Sequence, residues 1–256
     1  MSYIFFLAVF AVVFVLFPFV VGPIAVYLKH RTPARRTFIQ IPEQDVLYCT
    51  SPAFAQHVQA ITELGFTRVA NLHSPGGQTK MFMTILRNDA TRNFAHVTEI
   101  VAFMNGSTVP VTRLQYMEFA TEFENGLEID TNNSVQPGVF SEIPLKRINR
   151  LAGIEDPALV YSIHRSYVNG VNSPLKSLPE PGMEVDAIHE GMAKDLERQR
   201  SFGFLKFDSA TDNYSPTVKG AVIMTWRLVW PVGAIRRQQM YQNAKRLAAT
   251  HSNGRN

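Results

Sequence analysis

Alternating apolar and polar residues in the middle of the chain predict five β-strands in series. These segments are rich in β-branched and aromatic residues and end at Gly, Pro, Asn or Asp. They cover residues 66–74, 79–87, 93–103, 113–124 and 127–132. Asn125-Gly126 is the strongest turn signal and favours a type I′ turn. Because short turns join neighbouring strands, we predict an antiparallel meander.

Apolar residues at helical spacing predict three helices, which cover residues 52–64, 157–168 and about 183–200. The first two begin with an N-cap residue followed by proline, Ser51-Pro52 and Asp156-Pro157. Residues 133–155 resemble an irregular crossover. The predicted fold class is therefore α+β: an N-terminal transmembrane helix, then one domain over residues 38–218. Its antiparallel sheet of five to six strands packs with helices.

The N-terminus is apolar without interruption, since residues 3–28 contain no charged side chain. Such a run is long enough to cross a bilayer, so residues 1–28 are predicted to be a transmembrane anchor. A cleaved signal peptide is the competing interpretation, but no basic residue precedes the run and a basic linker, residues 29–37, follows it. The linker carries Lys29, Arg31, Arg35 and Arg36. By the positive-inside rule, the N-terminus lies outside and the main domain is cytoplasmic.

The net charge of +4 hides an uneven distribution. Residues 37–218 carry all 21 acidic residues and a net charge of −7, whereas residues 219–256 carry seven Lys or Arg and no acid. We expect both basic segments to face an anionic leaflet of the bilayer, although a solvated tail would show the same charge. Subunits of a membrane complex are a further class of partner. Nucleic acid is not expected, because the body of the chain is acidic.

Residues 220–237, GAVIMTWRLVWPVGAIRR, allow three interpretations. They are a second crossing, a core element of the domain, or an interfacial or re-entrant segment. The third is favoured because the run is short and Arg227 would lie at mid-depth of a crossing helix. In it Trp226 and Trp230 sit at headgroup depth, and the basic pair Arg236 and Arg237 contacts the leaflet. Residues 219–256 are thus predicted to be membrane-proximal.

Candidate chemistry is sparse, because the sequence contains no established catalytic, phosphate-binding or metal-binding motif. The most polar cluster predicts a ligand site, and histidines on two strands can contribute to it; the residues are Asp130, Thr131, Asn132, Asn133, His73 and His96. Carboxylates Glu118, Glu122, Glu124 and Glu128 concentrate on the same hairpin, where a solvated strand face is the simpler interpretation. No metal site is predicted, and the cofactor and the catalytic residues are unknown. We expect a non-enzymatic accessory or interaction module at the membrane face; the alternative is a membrane-associated enzyme or a lipid- or small-ligand-binding domain.

Overall fold

The computed structural model describes residues 2–76, 79–104, 110–140 and 144–252; the side chains of residues 2, 4, 7–16 and 252 are outside that description. Its helices are α1 (Ser2–Lys29), α2 (Glu43–Cys49), α3 (Pro52–Glu63), α4 (Pro157–Asn169), α5 (Glu184–Ser201), α6 (Val218–Trp226) and α7 (Val232–Ser252). Its strands are β1 (Thr32–Pro33), β2 (Ile39–Gln40), β3 (Thr67–Ser74), β4 (Thr79–Asn88), β5 (Asn93–Phe103), β6 (Pro110–Glu122), β7 (Glu128–Asn132), β8 (Lys146–Arg150), β9 (Leu205–Asp208) and β10 (Asn213–Pro216).

The chain divides into two compact units. The N-terminal unit comprises residues 1–35, 137–143 and 191–239. The sheet unit comprises residues 36–136, 144–190 and 240–256. The mixed α+β class expected from the sequence is confirmed, with one seven-stranded sheet and one three-stranded sheet.

The large sheet has the strand order β2-β3-β4-β5-β6-β7-β8. The five predicted strands are confirmed as β3 to β7, each antiparallel to the next. The prediction of an irregular crossover over residues 133–155 is wrong in part, because this stretch contains β8, which pairs in parallel with β7. The sheet is therefore mixed.

The turn at Asn125-Gly126 also differs from its prediction. Of the two residues only Gly126 has a positive φ, of 81°, whereas a type I′ turn needs two. Phe123 N–H donates to Leu127 O at 2.8 Å, so the loop has three residues and ends in a left-handed glycine. The Asn125 side chain instead accepts from Leu127 N–H at 3.0 Å, which stabilises this loop.

The main core lies between one face of the large sheet and helices α3 and α4. Phe54, Val58 and Ile61 follow at helical spacing on α3, and all three are buried. Residues from the predicted membrane-proximal C-terminus join this core: Ala244 of α7 is 1% exposed, and Leu247 packs beside it. The apolar side chains of this part of α7 therefore face protein.

The opposite face of the large sheet is divided. Over β3 to β5 it is apolar and is covered by Val185 and Ile188 of α5. Over β5 to β8 its side chains are mostly polar, as described below. Arg87 of β4 ties the first turn of α5 to the sheet, because its guanidinium lies 2.6 Å from Glu184 Oε1 and both side chains are buried.

In the N-terminal unit, α6 runs back along α1. Gly22 permits the close approach, since a Cβ there would lie 2.3 Å from the Thr225 methyl group. One turn along α1, Trp226 Nε1 donates to the backbone oxygen of Phe19 at 2.8 Å. That oxygen has no intrahelical partner, because the residue four positions later is Pro23, which lacks an N–H.

Residues 220–237 form a helical corner. Helix α6 ends at Trp226, a turn follows, and α7 begins at Val232 after the cis Trp230–Pro231 bond. Within the described ranges, none of the helices combines the length and the hydropathy needed to cross a membrane, so the transmembrane anchor predicted for residues 1–28 is not shown.

Candidate functional site

The polar half of the large sheet carries a group of side chains that we call the acidic cluster. It consists of His96, Glu118, Glu128, Asp130, Asn132 and Lys146. Strand register brings them together, because His96 of β5 lies opposite Glu118 of β6, which lies opposite Asn132 of β7. Alternation along β7 and β8 puts the other members on the same face.

Polar contacts link the acidic cluster from one strand to the next. Asn132 Nδ2 donates to Glu118 Oε2 at 2.7 Å, and His96 Nδ1 lies 4.0 Å from Glu118 Oε1. Lys146 Nζ lies 2.9 Å from Glu128 Oε1 and 3.0 Å from Asp130 Oδ2. Lys146 therefore forms ion pairs with two of the three carboxylates in the cluster.

Two atoms of the acidic cluster are buried without a hydrogen-bond partner among the described residues, Asp130 Oδ1 and His96 Nε2. The Asp130 side chain is only 4% exposed, so water has little access to it. Leaving a buried acceptor unpaired costs about 1–3 kcal/mol. The cluster therefore retains capacity to bind a hydrogen-bond donor.

The carboxylates of this cluster differ in proton affinity. Burial strongly raises the pKa of Asp130, and the charges of Glu118 and Glu128 add to this against the opposing effect of Lys146. Burial acts in the same direction on Glu118, but contact with His96 and the charge of Lys146 outweigh it and lower the pKa of that carboxyl. Glu118 is thus ionised at neutral pH, whereas the pKa of the buried Asp130 carboxyl is shifted in the opposite direction.

The polar run predicted as a ligand site is split by strand alternation. Asp130 and Asn132 face the acidic cluster, whereas Thr131 and Asn133 face the helices. Asn133 Oδ1 accepts from Met117 N–H at 2.8 Å, and its Nδ2 donates to Ile154 O at 3.2 Å. Its amide is thus engaged with backbone groups in a structural role.

Thr131 belongs to a buried network that the sequence did not reveal. His164 of α4 lies between Thr121 Oγ1, 2.8 Å from Nε2, and Thr131 Oγ1, 3.1 Å from Nδ1. Asn93 Nδ2 donates to Thr121 Oγ1, so the Thr121 hydroxyl links Asn93 to His164. Burial, with the charge of Arg165, lowers the pKa of His164 to about 3. The imidazole is therefore neutral and joins α4 to the sheet.

His73 does not join His96. Strand β4 separates their strands, and the register places the two side chains on opposite faces of the sheet. His73 instead stacks on Phe82 with 4.9 Å between ring centroids. Burial, assisted by Lys80, lowers its pKa.

A cavity of about 360 Å³ lies in the sheet unit between helices α2 and α3 and strands β3 and β4. Apolar side chains including Val46, Phe54 and Val58 form part of its wall. Asn71 and Thr84 add polar groups, and the Thr84 hydroxyl donates to Asn71 Oδ1 at 2.7 Å. The volume is within the range of small-molecule sites, about 300–1,000 Å³.

The residues predicted to contact a membrane have mixed exposure. Trp226 is 47% exposed and Trp230 67%. Arg227 caps α6 and is partly exposed. The remaining basic residues are exposed except Arg236, which is partly exposed; they are Lys29, Arg31, Arg35, Arg36 and Arg237.

Across the residues that the structure describes, no group of three or more His, Cys, Asp or Glu side chains could hold a metal ion. Comparison of the chain with known protein families, with curated proteins and with solved structures finds no match.

Proposed function

We propose that the chain is a membrane-associated protein whose N-terminal unit contacts lipid and whose sheet unit is a non-enzymatic accessory or interaction module. One observation carries the proposal. The N-terminal unit has fewer than half of the residues, yet it contributes 16 of the 24 exposed large apolar side chains in the described part of the chain. Concentrations of exposed apolar surface mark membrane or protein contacts.

The packing of α6 on α1 suits an apolar medium. Close contact at a small residue, Gly22, is typical of helix pairs in lipid. The bond from Trp226 pairs a carbonyl that would otherwise be costly there. Both features support the proposal, because neither the close contact at Gly22 nor the hydrogen bond from Trp226 needs a polar surface on either helix.

The direction of α6 favours the re-entrant interpretation of residues 220–237. β10 pairs with β1 just after α1 ends, and α6 then reaches Phe19 at its own C-terminus. The turn after α6 therefore lies level with Phe19, about 15 Å along α1 from Lys29 at 1.5 Å per residue. In the proposed topology the N-terminus is outside, α6 enters from the cytoplasmic leaflet, and the sheet unit is cytoplasmic. Protease protection of the C-terminus in sealed vesicles would contradict this topology.

Intrinsic fluorescence tests lipid contact directly, because the chain has two tryptophans and both lie in this corner. We expect the emission of Trp226 and Trp230 to shift to shorter wavelength in vesicles and to be quenched by lipids brominated on the acyl chains. Equal quenching of the tryptophan emission by a water-soluble quencher with and without vesicles would contradict the proposal.

A flotation assay supplies matched controls. The double variant Trp226→Ser, Trp230→Ser is expected to float less with vesicles than the parent chain. Tyr48→Ser is the control, since Tyr48 is 92% exposed but lies in the sheet unit. A similar loss for both variants would mean that general surface hydrophobicity, not this corner, drives association.

A second candidate function, binding of a small amphipathic ligand, is favoured by the 360 Å³ cavity of the sheet unit. Native mass spectrometry of the full chain from mild detergent should detect a co-purifying small molecule. Ala55→Phe would occupy the cavity, because Ala55 lines it, and should abolish that species. Ala53→Phe, on an exposed position of the same helix, should retain it. A parent chain with no bound species would remove this candidate.

A further inference from the structure

We propose that the cavity of the sheet unit binds the carboxylate of a small apolar acid, which takes the place of Glu43 at Arg68. The inference rests on the second candidate function, that this cavity holds a small amphipathic ligand, and it names the chemical class of that ligand. It does not depend on lipid contact by the N-terminal unit, because Glu43 and Arg68 both belong to the sheet unit and both line the cavity.

An irregularity in strand β3 places Arg68 in the cavity wall. Arg68 lies opposite Leu86 of β4, but Ala70 lies opposite Ile85, so Val69 is an extra residue on β3. In a regular strand Arg68 and Ala70 would share a face. Because of this bulge, Arg68 instead shares the α3 face with Leu86, and Ala70 packs on the opposite face. Bulges are frequent beside functional sites, where they redirect a side chain in this way.

The bulge also makes Arg68 and Asn71 consecutive side chains on one face of β3. The Thr84 hydroxyl donates to Asn71 Oδ1 at 2.7 Å, so Nδ2 is the part of this amide that can donate to a ligand. Side chains in this relation are about 7 Å apart along a strand. A carboxylate can bridge them, with one oxygen at the guanidinium and the other at the amide.

The opposite wall of the cavity is apolar and suits a hydrocarbon chain. Val46 of α2 lines it together with Phe54 and Val58 of α3, and all three side chains are buried. Ligand pockets generally combine such a wall with a few converging polar groups. A ligand that matches both walls has a carboxylate at one end and a short apolar chain at the other.

Glu43 already holds a carboxylate at the position that we assign to the ligand. It lies in the first turn of α2, and its Oε1 forms an ion pair with Arg68 Nη1. The Arg68 side chain is 29% exposed and that of Glu43 57%, so Glu43 is the partner that can move into solvent. Exposed ion pairs contribute little to stability, so their exchange for a ligand costs little. The planar guanidinium then meets both oxygens of a carboxylate with matched N–H donors.

The test uses the full chain in lipid nanodiscs and hexanoate as the probe, with empty nanodiscs as the blank. Isothermal titration calorimetry compares hexanoate with two control compounds. Hexanol has the apolar chain without the charge, and acetate has the charge without the chain. We expect saturable binding of hexanoate, and at least about tenfold weaker binding of both controls.

A variant of the cation locates the carboxylate of the ligand. Arg68→Gln should weaken hexanoate binding about tenfold or more and leave hexanol binding unchanged, since only the carboxylate uses the guanidinium. Lys176→Gln is the matched control, because Lys176 is also a surface cation paired with an acid and its Nζ lies 2.7 Å from Glu122 Oε2. It should leave hexanoate binding unchanged.

Glu43→Gln should act in the opposite direction. It removes the carboxylate that competes for Arg68, so hexanoate should bind about two- to fivefold tighter, as expected from the strength of an exposed ion pair. Glu63→Gln removes the same charge from an exposed position at the end of α3 and should have no such effect. A gain in affinity does not arise from a damaged fold, so this variant tests the inference even if Arg68→Gln fails to fold.

The outcomes separate this inference from the function on which it rests. Equal binding of hexanol and hexanoate would overturn the inference and leave the cavity as a site for neutral ligands. Equal losses in Arg68→Gln and Lys176→Gln, or an unchanged affinity in Glu43→Gln, would also overturn it. Hexanoate binding that survives in Ala55→Phe would place the ligand outside the cavity. If neither hexanoate nor hexanol binds, the second candidate function falls together with the inference.

Discussion

A buried histidine contributes to how the sheet unit responds to acid. His164 has no exposed surface, and burial lowers its pKa to about 3 from an ordinary value of 6.5. The unfolded chain therefore binds a proton between these values that the folded chain does not. By linkage, the free energy of unfolding is full above about pH 6.5 and falls as the pH drops toward 3.

This fall is measurable by urea unfolding followed with circular dichroism at pH 7, 6, 5 and 4. We expect His164 to contribute a slope approaching about 1.4 kcal/mol per pH unit below its unfolded pKa. His164→Gln should remove that contribution. His189→Gln changes a partly exposed histidine outside the network and serves as the control. An unchanged slope in His164→Gln would show that another group is responsible.

Single residues also show where sequence reasoning ends. Ser51-Pro52 correctly marked the start of α3, because an N-cap followed by proline is a local signal. The Ser51 side chain, however, does not cap the helix. Its hydroxyl donates to Glu99 Oε2 at 2.5 Å, and Glu99 lies 48 positions away on a buried strand. The start of α3 could therefore be predicted from neighbouring residues, whereas the hydrogen-bond partner of Ser51 could not.

For whole elements, the contact of α1 with α6 predicts a compensating pair of substitutions. Gly22→Ala would place a Cβ against the Thr225 methyl group, and overpacking of this kind costs about 1–3 kcal/mol. Thr225→Ser removes that methyl group and should restore most of the loss. Gly191→Ala is the control: nothing lies within 4 Å of a Cβ there, so it should stabilise α5 slightly. Thermal unfolding, followed by tryptophan emission, is measured for the parent chain, for Gly22→Ala, for Gly22→Ala with Thr225→Ser, and for Gly191→Ala.

Pro23 and Trp226 should be coupled for a different reason. Trp226→Phe leaves the Phe19 oxygen unpaired and should cost about 0.5–1.5 kcal/mol. In a Pro23→Ala background the helix supplies its own N–H to that oxygen, so the same substitution should cost less. A double-mutant cycle read by Trp230 emission gives the coupling energy. Strictly additive effects would contradict the hydrogen bond.

Strands differ in how far the sequence reveals them. β3 to β7 alternate and end at turn residues, so local reading found all five. β8 reads Lys-Arg-Ile-Asn-Arg, and its parallel pairing with β7 leaves no hairpin turn to signal it. The same gap hid the acidic cluster. Asp130 and Asn132 stood out in the sequence as polar residues. Lys146 and Ala120 become neighbours of β7 only through strand pairing.

Across the whole molecule, the charge distribution predicts how the proposed membrane association depends on salt. The basic segments 29–36 and 219–256 flank a stretch with a net charge of −7. Binding to vesicles with anionic lipid should weaken as salt rises, because screening shortens the Debye length from about 10 Å at 0.1 M to 3 Å at 1 M. Binding to neutral vesicles should depend little on salt, since apolar contact alone drives it.

Paired variants isolate the basic C-terminal segment in the same flotation assay. Arg236→Gln with Arg237→Gln should reduce binding to anionic vesicles only. Arg68→Gln with Lys176→Gln removes the same charge from surface ion pairs of the sheet unit and is the matched control. Equal loss from both pairs would show that net charge, and not its position, sets the affinity.

The hydrogen bond from Trp226 to the carbonyl freed by Pro23 has a consequence for sequence change over time. The indole of Trp226 pairs the carbonyl that Pro23 leaves free, so tryptophan is needed at position 226 only while proline occupies position 23. Relatives of this chain should therefore vary at positions 23 and 226 together: those that keep proline should keep an indole, and those without it should be free to place any apolar residue at 226. Positions 23 and 226, which are 203 residues apart, would then covary because both determine the hydrogen bonding of one backbone oxygen, that of Phe19.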